Sequence, residues 1–168
     1  DELGKLVDEY NELLEHVANH TSKLEAYSYK DALTGIGNRR LFQERLDYLW
    51  KLASRRQLSL SAIVFDLDYF KQYNDRYGHE VGDGALIELA RVLDAEIREN
   101  DLCGRWGGEE FLILLPETGD QAATLVMERV RNAVERLTIR VQDESVCMTV
   151  SIGVAEHRQE SSYSDTIS

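Results

Sequence analysis

Hydrophobic residues in the first 28 positions recur at alternating intervals of three and four. Two series spaced by seven form this repeat, namely Leu3, Tyr10, Val17 and Leu24, and Leu6, Leu13, His20 and Tyr27. The remaining positions are mostly charged or polar, which is typical of a coiled-coil helix, here about 40 Å long. Such a narrow stripe is buried better against a second copy than against a compact domain. We therefore expect residues 1–28 to form a self-associating stalk; the alternative is an amphipathic helix packed on its own domain.

Helical and strand-like patterns alternate through residues 29–168, which we interpret as one domain. An Asn38-capped helix is expected first, running to about Arg56. The other predicted elements are a strand at 58–68, a short helix and glycine-rich turn at 69–84, a helix at 84–100, a hairpin at 101–115, a helix at 120–137 and a strand at 146–155. This order predicts an α/β (α+β) fold, with a sheet covered by helices.

Two of these elements carry more specific expectations. Gly107 and Gly108 predict a tight hairpin turn that uses positive φ values. For the helix at 120–137, the apolar positions predict an inward face made of Ala122, Leu125, Val126, Val130, Ala133 and Val134.

Acidic residues stand at the end of the predicted central strand and at the hairpin. Asp66 and Asp68 follow the apolar run 62–65, and Glu109 and Glu110 follow the Gly-Gly pair. Adjacent acids repel each other, and a bound cation relieves that cost. Mg²⁺ takes one or two carboxylates together with waters and phosphates, so we expect one Asp from the strand and one Glu from the hairpin as ligands. The alternative is a pair of solvated acidic termini. With the metal site, the element order fits a palm-like nucleotidyl-transfer domain.

Composition limits the function classes. The 168 residues carry a net charge of −12, so a general nucleic-acid surface, and DNA in particular, is not expected. A nucleotide would instead be bound locally, through a metal ion and a few basic side chains. The sequence has no apolar run of membrane-spanning length and no signal-peptide pattern, and its two cysteines lack metal-type spacing. We expect a cytoplasmic protein with no direct membrane contact in this piece.

The segment after the acidic strand carries groups suited to a guanine nucleotide. Lys71 is close enough in sequence to the acids to meet a phosphate. An amide at Asn74 and a carboxylate at Asp83 complement the guanine edge. Taken alone, these are ordinary helix and cap residues, and His79 fits a structural hydrogen-bonding role.

Several motifs together resemble the GGDEF diguanylate cyclase family. Gly107-Gly-Glu-Glu-Phe111 is similar to its signature in the GGEEF form, and Asp31-Ala-Leu-Thr-Gly-Ile-Gly-Asn-Arg-Arg40 to its opening motif. Three further segments resemble its metal strand, guanine-side turn and late strand: Phe65-Asp-Leu-Asp-Tyr-Phe-Lys-Gln-Tyr-Asn-Asp75, Tyr77-Gly-His-Glu-Val-Gly-Asp83 and Thr149-Val-Ser-Ile-Gly-Val154. The resemblance covers about residues 28–155 and implies a nucleotidyl-cyclase-like sheet.

The resemblance implies condensation of two GTP molecules into cyclic di-GMP with release of two pyrophosphates. Each domain would hold one GTP, so two domains must meet, and the stalk would join a homodimer. The implied metal ligands for Mg²⁺, or alternatively Mn²⁺, are Asp66, the Leu67 carbonyl and Glu109. Glu109 would also help to remove the 3′-hydroxyl proton, and Lys71 would stabilise the phosphates. Guanine would be read by Asn74 and Asp83, with His79 at a nucleotide-binding position.

A second site is implied by the same resemblance. Arg98 and Asp101 match the family's RxxD inhibitory site for cyclic di-GMP, and Arg129 falls where a second arginine completes it in some members. The alternative is an ordinary arginine at a helix end with a capping aspartate.

One departure concerns the end of the sequence. The family pattern continues into an Ala-Asp-x-Ala-Leu-Tyr-x-Ala-Lys helix and a final strand, for which we find no counterpart before Ser168. The leading hypothesis is a product-inhibited cyclase. A silent cyclic di-GMP receptor and a dimerisation module are the alternatives.

Overall fold

The structure, a computed structural model, describes residues 2–157, apart from the side chains of residues 3 and 25–27. The expected stalk positions Leu3 and Tyr27 lie outside the described side chains, and the expected absence of a further helix and strand concerns residues 158–168, outside the described range. The elements are α1 Glu2–Tyr29, α2 Arg39–Arg56, β1 Leu60–Leu67, α3 Phe70–Tyr77, α4 His79–Ala95, β2 Leu102–Gly107, β3 Glu110–Pro116, α5 Asp120–Glu135, β4 Thr138–Val141, β5 Glu144–Cys147 and β6 Val150–Glu156.

The apolar stripe of helix α1 is exposed to solvent. The side chains of Leu6, Tyr10, Leu13, Val17 and Leu24 are each 53–67% exposed. These residues do not pack on the domain of their own chain. The structure therefore does not support the alternative of an amphipathic helix packed along that domain. No described helix is long and apolar enough to cross a membrane.

Four strands form the main sheet in the order β2-β3-β1-β6, with every neighbouring pair antiparallel. Strand β1 is central and buried on both faces, as its continuous apolar run predicts. Helices α4 and α5 cover one face, packing on Ile63, Phe65 and Phe111. Helix α2 covers part of the other through Phe42 and Leu46. The predicted mixed helix-and-sheet fold is confirmed.

The start of α2 shows how local sequence sets an element boundary. Asn38 has an extended backbone, and its Oδ1 accepts a hydrogen bond from the Leu41 N–H at 3.0 Å. The Asn38 amide also donates to the carbonyl oxygens of Ser28 and Lys30. The predicted cap therefore also ties the end of α1 to the start of α2.

Helix α4 begins five residues earlier than predicted. Gly78, with φ of 91°, ends α3, and α4 starts directly at His79. Gly82 and Gly84 were assigned to a turn but lie inside this helix. Gly82 is required there by packing, because a Cβ at this position would lie 1.7 Å from Asn74 Oδ1.

Three further predictions were wrong in detail. The strand at 146–155 is divided into β5 and β6, and β4 pairs with β5 in a separate hairpin that was not predicted. The buried side of α5 includes Ala123 rather than Ala122, and Leu125 is 72% exposed. The adjacent apolar pairs 122–123 and 125–126 made the helical phase ambiguous.

The Gly-Gly hairpin forms as predicted, but by different backbone geometry. Among the described glycines, positive φ occurs at Gly35 and Gly78, not at Gly107 or Gly108. A register shift between Arg105 and Gly107 bends the strand instead. No heavy atom would contact a Cβ at Gly108, so the glycines leave the turn surface unobstructed.

Candidate active site

The acids of β1 and the hairpin meet at one edge of the sheet. Asp66 is the cross-strand partner of Glu110, and the Leu67 N–H donates to the Glu109 carbonyl at 3.3 Å. Partial burial raises the pKa of Asp66, and the negative charges of Glu109, Glu110 and Asp68 raise it further. The predicted meeting of one Asp and one Glu is therefore present.

Unlike Asp66, Asp68 has its carboxylate engaged by hydrogen bonds from neighbouring side chains in the described range. Its carboxylate accepts hydrogen bonds from Thr149 Oγ1 at 2.7 Å and Ser151 Oγ at 2.6 Å. These two bonds lower the pKa of Asp68. The carboxylate thus joins β1 to β6, a role that its spacing from Asp66 did not reveal.

Arg105 holds the hairpin turn in place. Its Nε donates to the Gly108 carbonyl at 2.9 Å, and its Nη1 donates to Asp31 Oδ1 at 3.3 Å. Asp31 also accepts from the Thr34 N–H and hydroxyl. Burial opposes ionisation of Asp31, but these hydrogen bonds and the Arg105 charge lower its pKa overall. Sequence reasoning missed both residues as site supports, although Asp31 opens the motif that it quoted.

Two glycines let the opening motif approach the hairpin closely. The Arg105 N–H donates to the Gly37 carbonyl at 2.8 Å, and the Gly37 N–H donates to the Cys103 carbonyl at 3.1 Å. A Cβ on Gly104 would lie 2.4 Å from the Phe42 ring. The backbone at 31–37 is therefore in direct contact with the strand that leads into the Gly-Gly turn.

Lys71 lies in the first turn of α3, directly after the acidic end of β1. It is exposed, and it makes no hydrogen bond or ion pair with another residue in the described range 2–157. Its ammonium group is therefore available to an anion near the acids.

The residues expected to read guanine lie on two packed helices. Asn74 is on α3, and its Oδ1 is buried against Gly82 without a hydrogen-bond partner within the described part of the chain. His79 begins α4, and Asp83 follows one turn later with its side chain exposed. An unsatisfied amide oxygen of this kind costs free energy.

The residues of the expected inhibitory site surround the turn after α4. Asp101 accepts a hydrogen bond from the Arg98 N–H at 2.9 Å, so it does cap this turn. The Arg98 guanidinium is exposed and unpaired with respect to residues 2–157. Arg129 bonds to the Glu96 carbonyl and forms an ion pair with its side chain at 3.3 Å. The structure thus brings Arg129 to the same turn.

The family model described as "Diguanylate cyclase, GGDEF domain" matches residues 28–168. The chain belongs to this family. Its GGDEF-type motif is the hairpin turn at Gly107–Glu110, where Asp66 of β1 meets the acids at the start of β3. The resemblance drawn from the motifs is therefore confirmed.

Curated relatives and solved structures agree with the family assignment. The chain is 41% identical over 148 residues to the diguanylate cyclase DgcM of Escherichia coli, covering 87% of this chain and 32% of DgcM. It is 37% identical over 148 residues to the response regulator PleD of Caulobacter vibrioides, with the same two coverages. The chain thus spans about a third of the length of these curated relatives.

A solved structure of the diguanylate cyclase SiaD from Pseudomonas aeruginosa, in complex with its activator SiaC, matches 99% of this chain and 64% of that one. Its TM-score is 0.83 at 43% identity. The coiled coil and GGDEF domain of DgcB from Caulobacter crescentus, in complex with c-di-GMP, covers 99% of this chain and 89% of that one, with a TM-score of 0.92 at 24% identity. The second match shows that a long helix followed by this domain is a shared fold.

Proposed function

We propose that this chain carries the catalytic domain of a diguanylate cyclase that converts two GTP into cyclic di-GMP and two pyrophosphates. The observation that carries the proposal is the convergence of Asp66 with Glu109 and Glu110 at the hairpin turn. Family membership supplies the reaction class. The proposed division is a stalk at 1–28 and a GGDEF domain at 29–168.

The acids fit a hard divalent cation such as Mg²⁺, or Mn²⁺. Asp66, the Leu67 carbonyl and Glu109 would hold it. Burial, and then the charges of the neighbouring acids, raise the pKa of Asp66, and a cation would offset this cost of its negative charge. The described residues contain no group of three His, Cys, Asp or Glu side chains suited to a metal. Two carboxylates with waters and phosphates are what Mg²⁺ ordinarily takes. When bound, the ion would offset the charge of the triphosphate.

The other site residues would bind and orient the nucleotide. Asn74 and Asp83 would hydrogen-bond the guanine edge, with His79 beside them at the start of α4. Lys71, free of protein partners in the described range, would place its positive charge on the phosphates. Fixing both ends of GTP on rigid helices lowers the entropy lost on the way to the transition state.

The chemical step joins two nucleotides. The 3′-hydroxyl oxygen of one GTP forms a bond to the α-phosphorus of the other, and the bond from that phosphorus to the bridging oxygen breaks. Pyrophosphate leaves with the bonding electron pair, and the hydroxyl proton passes to Glu109. A second, reciprocal step closes the ring. Since one domain holds one GTP, two domains must face each other.

The stalk supports this pairing. The exposed apolar residues of α1, from Leu6 to Leu24, offer a second copy a surface to pack on, and coiled-coil pairing would bring two domains together. We place a homodimer contact there and cyclic di-GMP at the turn formed by Arg98 and Asp101, with Arg129 beside it. Arginine at this place would grip a phosphate or guanine edge bidentately.

A product assay tests the proposal. The chain, freed of co-purified nucleotide, is incubated with GTP and Mg²⁺ at several protein concentrations, and the nucleotides are separated by anion exchange. We expect cyclic di-GMP and pyrophosphate, with a rate per chain that rises with concentration. Bound cyclic di-GMP without synthesis would favour the receptor function instead.

A further inference from the structure

The link between β1 and α3 is held by side-chain contacts that the proposed reaction does not yet explain. Asp68 is the first residue after β1, and its N–H donates to the Thr149 carbonyl at 3.0 Å. Its carboxylate accepts from the hydroxyls of Thr149 and Ser151. Three hydrogen bonds therefore fix one residue of this link to the segment that begins β6.

This fixed residue stands between the two halves of the proposed phosphate site. Asp66 and Leu67 precede it on β1, and Lys71 follows it in the first turn of α3. The residue between, Tyr69, adopts the left-handed conformation with φ of 57° and caps α3 without a side-chain hydrogen bond. Since α3 has no side-chain cap of its own, its start is held by the burial of Phe70 in the core and by the bonds of Asp68.

We propose that Asp68 is a positioning residue, which sets Lys71 relative to Asp66 and the Leu67 carbonyl through its bonds to Thr149 and Ser151. This inference rests on the proposed function and assigns Asp68 a role other than metal ligation. Both of its carboxylate oxygens are engaged by hydroxyls, Oδ2 by Thr149 and Oδ1 by Ser151. Outer-shell groups at metal sites change metal affinity or activity by about 10- to 100-fold, and Asp68 directly follows Leu67, whose carbonyl is a proposed ligand.

The guanine end of the site is built separately. Asn74 and Asp83 lie on α3 and α4, which pack on each other through Gly82. Loosening the link at Asp68 would shift the first turn of α3, which carries Lys71, against β1, while Asn74 stays packed on α4 through Gly82. Binding of the triphosphate end would weaken, while binding of the base would be spared. Loss of the fold would instead weaken both.

The test compares Asp68→Asn with the double variant Thr149→Val/Ser151→Ala, which keeps the Asp68 carboxylate but removes its donors. Affinity is measured for a non-hydrolysable GTP analogue with Mg²⁺, and for GMP without metal. We expect both variants to lose about tenfold in affinity for the analogue and to bind GMP as the wild type does. The single variant Thr149→Ser, which keeps the hydroxyl donor, should bind the analogue with the affinity of the wild type. Thr124→Val, which removes a hydroxyl bonded within α5, is the matched control and should change neither affinity.

Two results would overturn the inference. A double variant that binds the analogue normally, beside a defective Asp68→Asn, would make Asp68 a metal ligand. Equal losses for the analogue and GMP would show a merely structural contact. With either result, binding of the analogue and Mg²⁺ by the wild-type chain would still support GTP as the substrate of the proposed function. Wild-type chain that neither binds the analogue nor makes product would contradict the proposed function, and the inference with it.

Discussion

Arg105 and Asp31 form an ion pair between the hairpin strand β2 and the segment that follows α1. Their atoms Nη1 and Oδ1 are 3.3 Å apart, and the two side chains are only 18% and 20% exposed. The same guanidinium holds the Gly108 carbonyl. One side chain therefore connects the end of the stalk with the turn that presents Glu109.

Replacing Arg105 by Met should lower both stability and synthesis. The variant leaves Asp31 half-buried without its cation and frees the Gly108 carbonyl, so we expect a loss of about 2 kcal/mol in the free energy of unfolding. Urea denaturation followed by circular dichroism measures it. Arg131→Met, which removes exposed pairs within α5, should change the free energy by less than about 0.5 kcal/mol.

The same pair predicts a pH dependence. The pKa of Asp31 is lower in the folded chain than the usual 3.8, so its contribution is complete above that value and is lost as the pH falls through the folded pKa. The stability difference between wild type and Arg105→Met should therefore shrink below pH 4. A difference that stays constant from pH 6 to pH 3 would show that the ion pair is not its source.

Asp66→Asn should stabilise the metal-free chain while abolishing synthesis. Burial and the neighbouring acids raise the pKa of Asp66, so its charge opposes folding at neutral pH. Removing the like-charge pair with Glu110 should increase the free energy of unfolding by about 0.5 kcal/mol. In thermal unfolding, we expect added Mg²⁺ to raise the midpoint of the wild type more than that of the variant. Equal shifts by Mg²⁺ in both would contradict the role of Asp66 as a ligand.

Gly82 and Gly84 offer a matched pair of substitutions in one helix. A Cβ at Gly82 would lie 1.7 Å from Asn74 Oδ1, whereas one at Gly84 would meet nothing within 4 Å. Gly84→Ala should stabilise the chain by up to about 1 kcal/mol, because alanine favours helix. Gly82→Ala should instead destabilise it and weaken GMP binding by displacing Asn74. Similar behaviour of the two variants in calorimetry would rule out this packing argument.

Arg98→Ala should relieve inhibition by the product. The guanidinium has no partner among residues 2–157, so its removal costs little stability but takes away a phosphate or guanine contact. The expected result is an initial rate that no longer falls as cyclic di-GMP is added, together with unchanged synthesis in its absence. Arg91→Ala on α4, which removes a surface pair with Glu88, is the control. Equal inhibition before and after Arg98→Ala would remove Arg98 from the site.

Much of the architecture follows from local sequence. The Asn38 cap, the buried run of β1 and the Gly-Gly hairpin all depend on near neighbours, and each was predicted. Of the predictions that failed, the missed β4–β5 hairpin is local, but two others depended on distant contacts. The sequence around Gly82 predicts a turn, and only the packing of Asn74 against it explains a glycine within α4. Likewise, only packing on the sheet decides which side of α5 is buried.

For the candidate site, the sequence likewise indicated the local features and not the distant contacts. The acids Asp66 and Glu109 could be paired from strand ends and a hairpin, since both positions are local features. The support from Arg105 to Asp31 spans 74 residues, and the bonds from Asp68 to β6 span 81 and 83. No periodicity or spacing reports contacts of that range, so these residues became visible only in the fold.

The most direct measurement of the central claim is synthesis by Glu109→Gln. Cyclic di-GMP formed from GTP and Mg²⁺ is quantified by anion exchange, and cyclic di-GMP binding is measured in parallel. Glu135→Gln, an exposed change on α5, serves as the control. We predict that Glu109→Gln forms no product yet binds cyclic di-GMP like the wild type, because the turn at Arg98 is untouched. Synthesis at the wild-type rate in Glu109→Gln would contradict the assignment of this hairpin as the catalytic centre.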